Sequence, residues 1–145
     1  FYLAGRVIAV AGTVINQLVS GNQMSMNDQA IFGLTAGLKE GFLPFTICFL
    51  LVIGIVAPII EELVFRGLAS QLLFSGGNKW LAAIVTSLIF GLLHATNLIE
   101  WIMYTGLGIV FYLAYARRRN IKDSILLHML NNIPSAILIA YTIFS

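Results

Sequence analysis

Three ionisable clusters interrupt segments that are otherwise almost wholly apolar. The first contains Glu61, Glu62 and Arg66, the second ends at His94, and the third runs from His128 to Asn132. A charged side chain at membrane depth costs at least about 2.5 kcal/mol on insertion scales unless it is paired or hydrated. We therefore interpret these clusters as a functional site.

The two adjacent glutamates are expected to play different parts. Glu62 and Arg66 are four residues apart, so they share a helix face and can form an ion pair. Glu61 points about 100° away from Glu62, which leaves it available to a cavity as a general base for water. The alternative is that both glutamates belong to one buried ion-pair network with a structural role.

The histidines can complete such a site. His94 shares a face with Phe90, and His128 shares a face with Asn132, because each pair is four residues apart. One neutral imidazole can orient or deprotonate a water beside Glu61. A second imidazole and an amide N–H can donate to the oxyanion that forms when a carbonyl is attacked.

Two further asparagines have assignable roles. Asn131 lies three residues after His128, so it competes with Asn132 for the oxyanion role. Asn97 follows the second cluster and is expected to cap a turn.

Metal chemistry is an alternative for the same residues. Glu61, His94 and His128 would form a familiar zinc ligand set with an open position for water. The sequence has no His-Glu-x-x-His motif, and no serine is paired by its spacing with a base. The residues therefore favour an activated water, and zinc is kept as the alternative.

The composition indicates a membrane protein. Of the 145 residues, 59% are apolar and 10% are charged, the mean hydropathy is +0.94, and soluble domains are about 25% charged. The net charge of +2 is too small to suggest nucleic-acid binding. A single cysteine, Cys48, excludes an internal disulfide. Because the chain opens with Phe1 and not Met, we expect a piece of a longer protein that lacks upstream spans.

The apolar runs predict an all-α fold, a polytopic transmembrane bundle of about five spans with the active site among the helices. Residues 1–41 are predicted to form an N-terminal span and a peripheral connection, and residues 42–145 the core that carries the motifs.

Residues 41–74 are predicted to form one long helix, kinked near Pro58 and ending at the Ser75–Asn78 break. A helix broken at Pro58 would place Glu61 and His94 near the membrane face opposite His128. Neighbouring helices can repair the hydrogen bond that a membrane proline removes, so the long helix is favoured. All three clusters then lie at broadly similar depth.

The basic residues give an orientation. In this topology one side of the membrane carries Arg6, Lys79, Arg117, Arg118, Arg119 and Lys122. The positive-inside rule assigns that side to the cytoplasm.

Taken together, the clusters resemble the motifs of a known family. They are Glu61-Glu62-x-x-x-Arg66, Phe90-x-x-x-His94 and His128-x-x-x-Asn132, in this order. The resemblance is to the CAAX-protease and bacteriocin-processing family of intramembrane proteases, also called Abi or CAAX prenyl protease 2/lysostaphin-resistance-protein-A-like. It covers roughly residues 57–134 and is strengthened by Phe65-Arg66-Gly67.

The resemblance implies cleavage of a peptide bond within or beside the lipid bilayer. It implies Glu61 as the water-activating base, His94 as its partner, His128 and Asn132 as oxyanion donors, and Glu62 and Arg66 as structural support. Because relatives in the family resemble a metal-independent protease of the glutamate type, it also implies no tightly held zinc. The implied substrate is a membrane-embedded or membrane-associated peptide or protein, and the implied location is the bacterial plasma membrane. Implied biological roles include bacteriocin processing and self-immunity.

Two other classes of protein would use these residues differently. A non-catalytic bacteriocin-immunity or scaffold protein would keep the motifs as a buried polar network. A small transporter would use Glu61 and the histidines as a proton relay, although the sequence lacks the internal symmetry typical of transporters.

Overall fold

The computed structural model describes residues 1–21, 26–39, 41–72 and 77–144. All regular elements within these ranges are helices, which confirms the predicted all-α fold. Six helices follow in order: α1 (Tyr2–Ser20), α2 (Met26–Lys39), α3 (Leu43–Leu72), α4 (Lys79–His94), α5 (Leu98–Arg118) and α6 (Ile121–Phe144).

Four of these helices, α1, α3, α5 and α6, are long and apolar enough to cross a membrane. Helix α4 is apolar but has only 16 residues, so it is about 24 Å long and shorter than a bilayer core of about 30 Å. The predicted polytopic bundle is therefore confirmed, with four full-length helices and one shorter helix where about five spans were expected.

Helix α3 passes through Pro58 without a break, as predicted. A π-helical turn, Val52–Val56, precedes the proline, and the Ala57 N–H donates to Val52 O, five residues back. In that register the donor for Ile53 O would be position 58, and proline has no N–H. Asn132 Nδ2 of α6 donates to Ile53 O at 3.2 Å. The neighbouring helix thus repairs the missing bond.

The region predicted as a peripheral connection contains a helix. Helix α2 packs on α6, where Leu38 joins a buried cluster with Ile139 and Ile143. Residues 22–25 and 40, in the same region, lie outside the described residues.

The start of α4 agrees with the sequence pattern. Asn78 caps the helix, and its Oδ1 accepts the Trp80 N–H at 2.9 Å. The predicted break at Ser75–Asn78 lies partly outside the described residues, because residues 73–76 are not described.

Helices α4 and α5 approach closely through glycine. A Cβ atom on Gly108 of α5 would lie 3.0 Å from Ser87 Cβ of α4, and one on Gly91 would collide with Thr105. Because both positions are glycine, helices α4 and α5 can lie closer together than larger residues would allow. The close packing carries Phe90, one turn before the end of α4, onto Phe111 of α5.

Candidate active site

The predicted ion pair between Glu62 and Arg66 is present and fully buried. Arg66 Nη1 lies 3.0 Å from Glu62 Oε1, and Arg66 Nη2 donates to Gly108 O of α5 at 2.6 Å. The guanidinium carbon also lies 5.2 to 5.8 Å from the ring centroids of Phe65, Phe90 and Phe111. Such cation–π contacts stabilise a desolvated guanidinium.

The same Glu62 oxygen also holds His128. His128 Nδ1 lies 3.0 Å from Glu62 Oε1, and a carboxylate accepts, so Nδ1 carries the donated proton. In the neutral imidazole the lone pair is then on Nε2, which lies 3.6 Å from Glu61 Oε2. The ring stacks on Phe111 with centroids 4.4 Å apart. These contacts fix both the orientation and the tautomer of His128.

His94 is oriented in the same way by its own helix. Its Nδ1 lies 2.8 Å from Phe90 O, and a carbonyl oxygen can only accept, so Nδ1 is the donor. The Nε2 lone pair of the neutral ring then faces Glu61 Oε2 at 3.5 Å. Stacking on the Phe90 ring, with centroids 4.4 Å apart, holds the imidazole in place.

Both histidines therefore direct a basic nitrogen at the same oxygen atom. Glu61 Oε2 is itself inaccessible to solvent and has no hydrogen-bond donor among the described residues. The two Nε2 atoms thus lie 3.5 and 3.6 Å from one carboxylate oxygen of Glu61. Acceptors this close together can share a molecule with two O–H donors, such as water, when a shift of the Glu61 side chain uncovers Oε2.

A cavity of about 530 Å³ opens beside these groups. Its lining includes the four predicted catalytic residues, Glu61, His94, His128 and Asn132. The Glu61 side chain is 27% exposed, whereas Glu62 is completely buried. Of the two adjacent glutamates, only Glu61 can meet a molecule in the cavity.

The two candidate asparagines both line this cavity. Asn132 uses one amide N–H on Ile53 O, and a carboxamide has a second N–H that can donate elsewhere. Asn131 Oδ1 is buried without a hydrogen-bond donor among the described residues. Proximity alone does not choose between them, and the oxyanion role of Asn132 stays a prediction.

Sequence reasoning missed a buried polar cluster around Glu100, whose residue is only 1% exposed. Glu100 Oε2 accepts from the Thr96 N–H and hydroxyl at 3.0 and 3.1 Å, and Oε1 accepts from Asn16 Nδ2 at 3.4 Å. The predicted cap is confirmed, since Asn97 Oδ1 accepts the Glu100 N–H at 2.9 Å. The cluster ties α1 to the turn that directly follows His94. Glu100 is a single glutamate in an otherwise apolar stretch of α5, and this feature of the sequence could have indicated the cluster.

The residues that could bind a metal ion at this site are Glu61, His94 and His128. Among the residues that the structure describes, no group of three or more His, Cys, Asp or Glu side chains is arranged to hold a metal ion. We therefore derive no step through zinc. The zinc alternative is left to the chelation experiment below.

The fold and the site define a helical membrane protein with a glutamate–histidine centre on a cavity wall. Residues 43–134 match the type II CAAX prenyl endopeptidase Rce1-like family. The match covers more than half of the chain, and the chain belongs to this family.

Several bacterial proteins are similar to the chain. YdiL of Bacillus subtilis, named as a candidate membrane peptidase, is 30% identical over 91% of the chain and 50% of its own length. The membrane-embedded CAAX protease MroQ of Staphylococcus aureus is 32% identical over 85% of the chain and 49% of its own length. The UPF0177 protein YxdF of Lactococcus lactis is 31% identical over 99% of the chain and 80% of its own length.

The chain thus spans about half the length of YdiL and MroQ. No solved structure matches it.

The buried ion pair gives a first prediction. Replacing Arg66 by alanine leaves Glu62 buried without its cation, which costs about 3 kcal/mol or more. We expect a large loss of folded protein, measured as the monodisperse yield in detergent and the unfolding temperature. The matched control is Arg118→Ala, because Arg118 is exposed and surface substitutions usually change stability by less than about 0.5 kcal/mol. Equal yields for both variants would contradict a support role for Arg66.

Proposed function

We propose that this chain hydrolyses a peptide bond of a membrane-associated protein or peptide with a water molecule activated by Glu61 and His94. The observation that carries the proposal is the convergence of two imidazole Nε2 atoms on Glu61 Oε2, at 3.5 and 3.6 Å. Membership of the endopeptidase family supports the same reaction class.

In the proposed first step, a water molecule donates its hydrogen bonds to Glu61 and to the Nε2 of His94. When Glu61 is ionised and His94 is neutral, both groups are acceptors that orient the water oxygen, and Glu61 takes one proton from the water as its oxygen attacks the carbonyl carbon. The protonated Glu61 then gives this proton to the amine nitrogen as the carbon–nitrogen bond breaks. The backbone hydrogen bond from His94 Nδ1 to Phe90 O keeps Nε2 free for this task. The cavity wall thereby supplies a base without a nucleophilic side chain.

The oxyanion needs donors on the other side of the carbonyl. His128 donates from Nε2 after the ring has taken up a second proton from bulk water, and the Glu62 carboxylate at Nδ1 stabilises this imidazolium, as the buried aspartate does in a serine-protease triad. The second N–H of Asn132 is the other donor. Its bond to Ile53 O holds the amide in a fixed orientation for that purpose.

The setting of the reaction is proposed from the helices and the relatives. All four membrane-length helices contribute residues to the cavity lining, which favours a substrate that reaches the site from the bilayer. YdiL and MroQ are bacterial proteins, which supports the bacterial plasma membrane as the location. A role in bacteriocin processing or immunity belongs to the same proposal.

The role of Glu61 gives the second prediction. Glu61→Gln is nearly isosteric but removes the base, so we expect cleavage of a membrane-peptide library by the purified protein to fall at least about 100-fold. The unfolding temperature should change little. Asp123→Asn is the control, because Asp123 belongs to a partly exposed ion pair with Arg117, and such pairs contribute little to stability.

Biological activity that survives Glu61→Gln would contradict proteolysis. It would favour a non-catalytic scaffold or immunity protein that retains the buried network.

Metal removal gives the third prediction. We expect peptide cleavage by the wild-type protein to survive incubation with a zinc chelator, because the proposed base acts without a metal. Loss of cleavage that added zinc restores would contradict this mechanism. It would assign Glu61, His94 and His128 as ligands.

A further inference from the structure

His94 is the last residue of its helix, where the backbone is least constrained. Helix α4 ends at His94, and Ala95 already has extended backbone angles, φ −106° and ψ 146°. The last turn of a helix leaves carbonyl groups without intrahelical partners, and helix ends open at a low free-energy cost. The proposed mechanism nevertheless needs His94 Nε2 to stay 3.5 Å from Glu61 Oε2. Contacts from outside α4 are therefore needed to hold this end of the helix.

The Glu100 carboxylate binds the turn that directly follows His94. Its Oε2 accepts from the backbone N–H and the hydroxyl of Thr96 at 3.0 and 3.1 Å, two residues after His94. A glutamate at the third position of a helix commonly bonds to the N–H of the cap residue, which here is Asn97. The Glu100 carboxylate reaches one residue further back, so it holds the turn as well as the start of α5.

Helix α1 binds the other oxygen of the same carboxylate. Asn16 Nδ2 donates to Glu100 Oε1 at 3.4 Å, and Asn16 Oδ1 accepts from Asn97 Nδ2 at 3.2 Å. Asn16 and Glu100 are 2% and 1% exposed, and hydrogen bonds are electrostatically stronger in such a low-dielectric interior than in water. One buried network thus joins α1, the turn and α5.

The face of α5 that carries Glu100 also flanks the His94 ring. Tyr104 follows Glu100 by four residues, so the two side chains lie on the same helix face. The Tyr104 and His94 ring centroids are 5.4 Å apart. A shift of the turn away from Glu100 would therefore move the imidazole relative to α5 and relative to Glu61.

The network requires a carboxylate rather than a neutral side chain of the same size. Thr96 donates to one oxygen of Glu100 and Asn16 donates to the other. Glutamine has a single acceptor oxygen, so its NH2 group would face a donor on one of the two sides. A buried carboxylate is costly in a membrane protein, and such residues usually have a function.

We propose that Glu100 is a positioning residue for His94. Through Thr96 and the turn, it fixes the end of α4 so that His94 Nε2 points at Glu61. This inference rests on the proposed function, in which Glu61 and His94 orient the attacking water. Glu100 is not among the described residues that line the cavity, so its loss should slow the chemical step without weakening substrate binding.

The test combines kinetics and NMR on the Glu100→Gln protein in detergent. For a peptide that the wild-type protein cleaves, we expect kcat to fall about 10- to 100-fold, because small misplacements of a catalytic group have effects of this size. KM should stay within about twofold of the wild-type value. The nitrogen-15 signals of His94 should shift or split, whereas those of His128 should not change, because Glu62 holds His128 Nδ1.

Asn78→Ala is the matched control. It removes the side chain that caps the start of α4, so it weakens the same helix at the end opposite His94. Its kcat and its His94 signals should match those of the wild-type protein. If Glu100→Gln does not fold, Asn16→Ala takes its place, because it removes the α1 contacts to Glu100 and Asn97 and should change kcat and the His94 signals in the same direction.

Unchanged His94 signals in the folded Glu100→Gln protein would overturn the proposal, whatever the cleavage rate. Equal changes at His94 and His128, or the same His94 change in Asn78→Ala, would indicate general loosening and would also overturn it. A raised KM with unchanged kcat would do the same. A change confined to His94 in a protein that cleaves no peptide would support the positioning role and count against proteolysis, so the two proposals fail separately.

Discussion

The site depends on one buried carboxylate oxygen, Glu62 Oε1, which binds both Arg66 and His128. Glu62 Oε1 lies 3.0 Å from Arg66 on its own helix and 3.0 Å from His128 on α6. Arg66 continues the connection to α5 through Gly108 O. Because a buried charge is tolerated only when it is paired, these contacts fix α3, α5 and α6 relative to one another and set the direction of the His128 ring.

This constraint separates two chemically identical neighbours. The Glu62 carboxylate is buried and pairs with Arg66 and His128. Glu61 lies one residue earlier and about 100° around the helix, so it faces the cavity, where 27% of its side chain is exposed. The Nδ1 hydrogen bonds of His94 and His128 then turn both Nε2 atoms toward Glu61. Buried hydrogen bonds around the site thus bring three proton-accepting groups together at one place on the cavity wall.

Local periodicity in the sequence was sufficient for part of this arrangement. Spacing of four residues predicted the Glu62–Arg66 pair, and the comparison of depths predicted an unbroken helix at Pro58. Contacts between distant residues could not be read in this way. Asn132 reaches Ile53 and Arg6 reaches Asn131 because of how the helices are packed, and the Glu100 cluster joins residues that are 84 positions apart. None of these pairs leaves a periodic pattern in the chain.

The protonation pattern of the two histidines tests the proposed site more directly than any other measurement. The sequence contains only His94 and His128, so nitrogen-15 labelling of histidine gives signals from these two rings alone in NMR spectra. At a pH where both rings are neutral, we expect protonated Nδ1 and unprotonated Nε2 for both. Glu62→Gln should change the nitrogen signals of His128 only, because Glu62 contacts His128 Nδ1 and His94 Nδ1 is bound to Phe90 O. A proton on Nε2 of either neutral ring in the wild-type protein would contradict the proposed site.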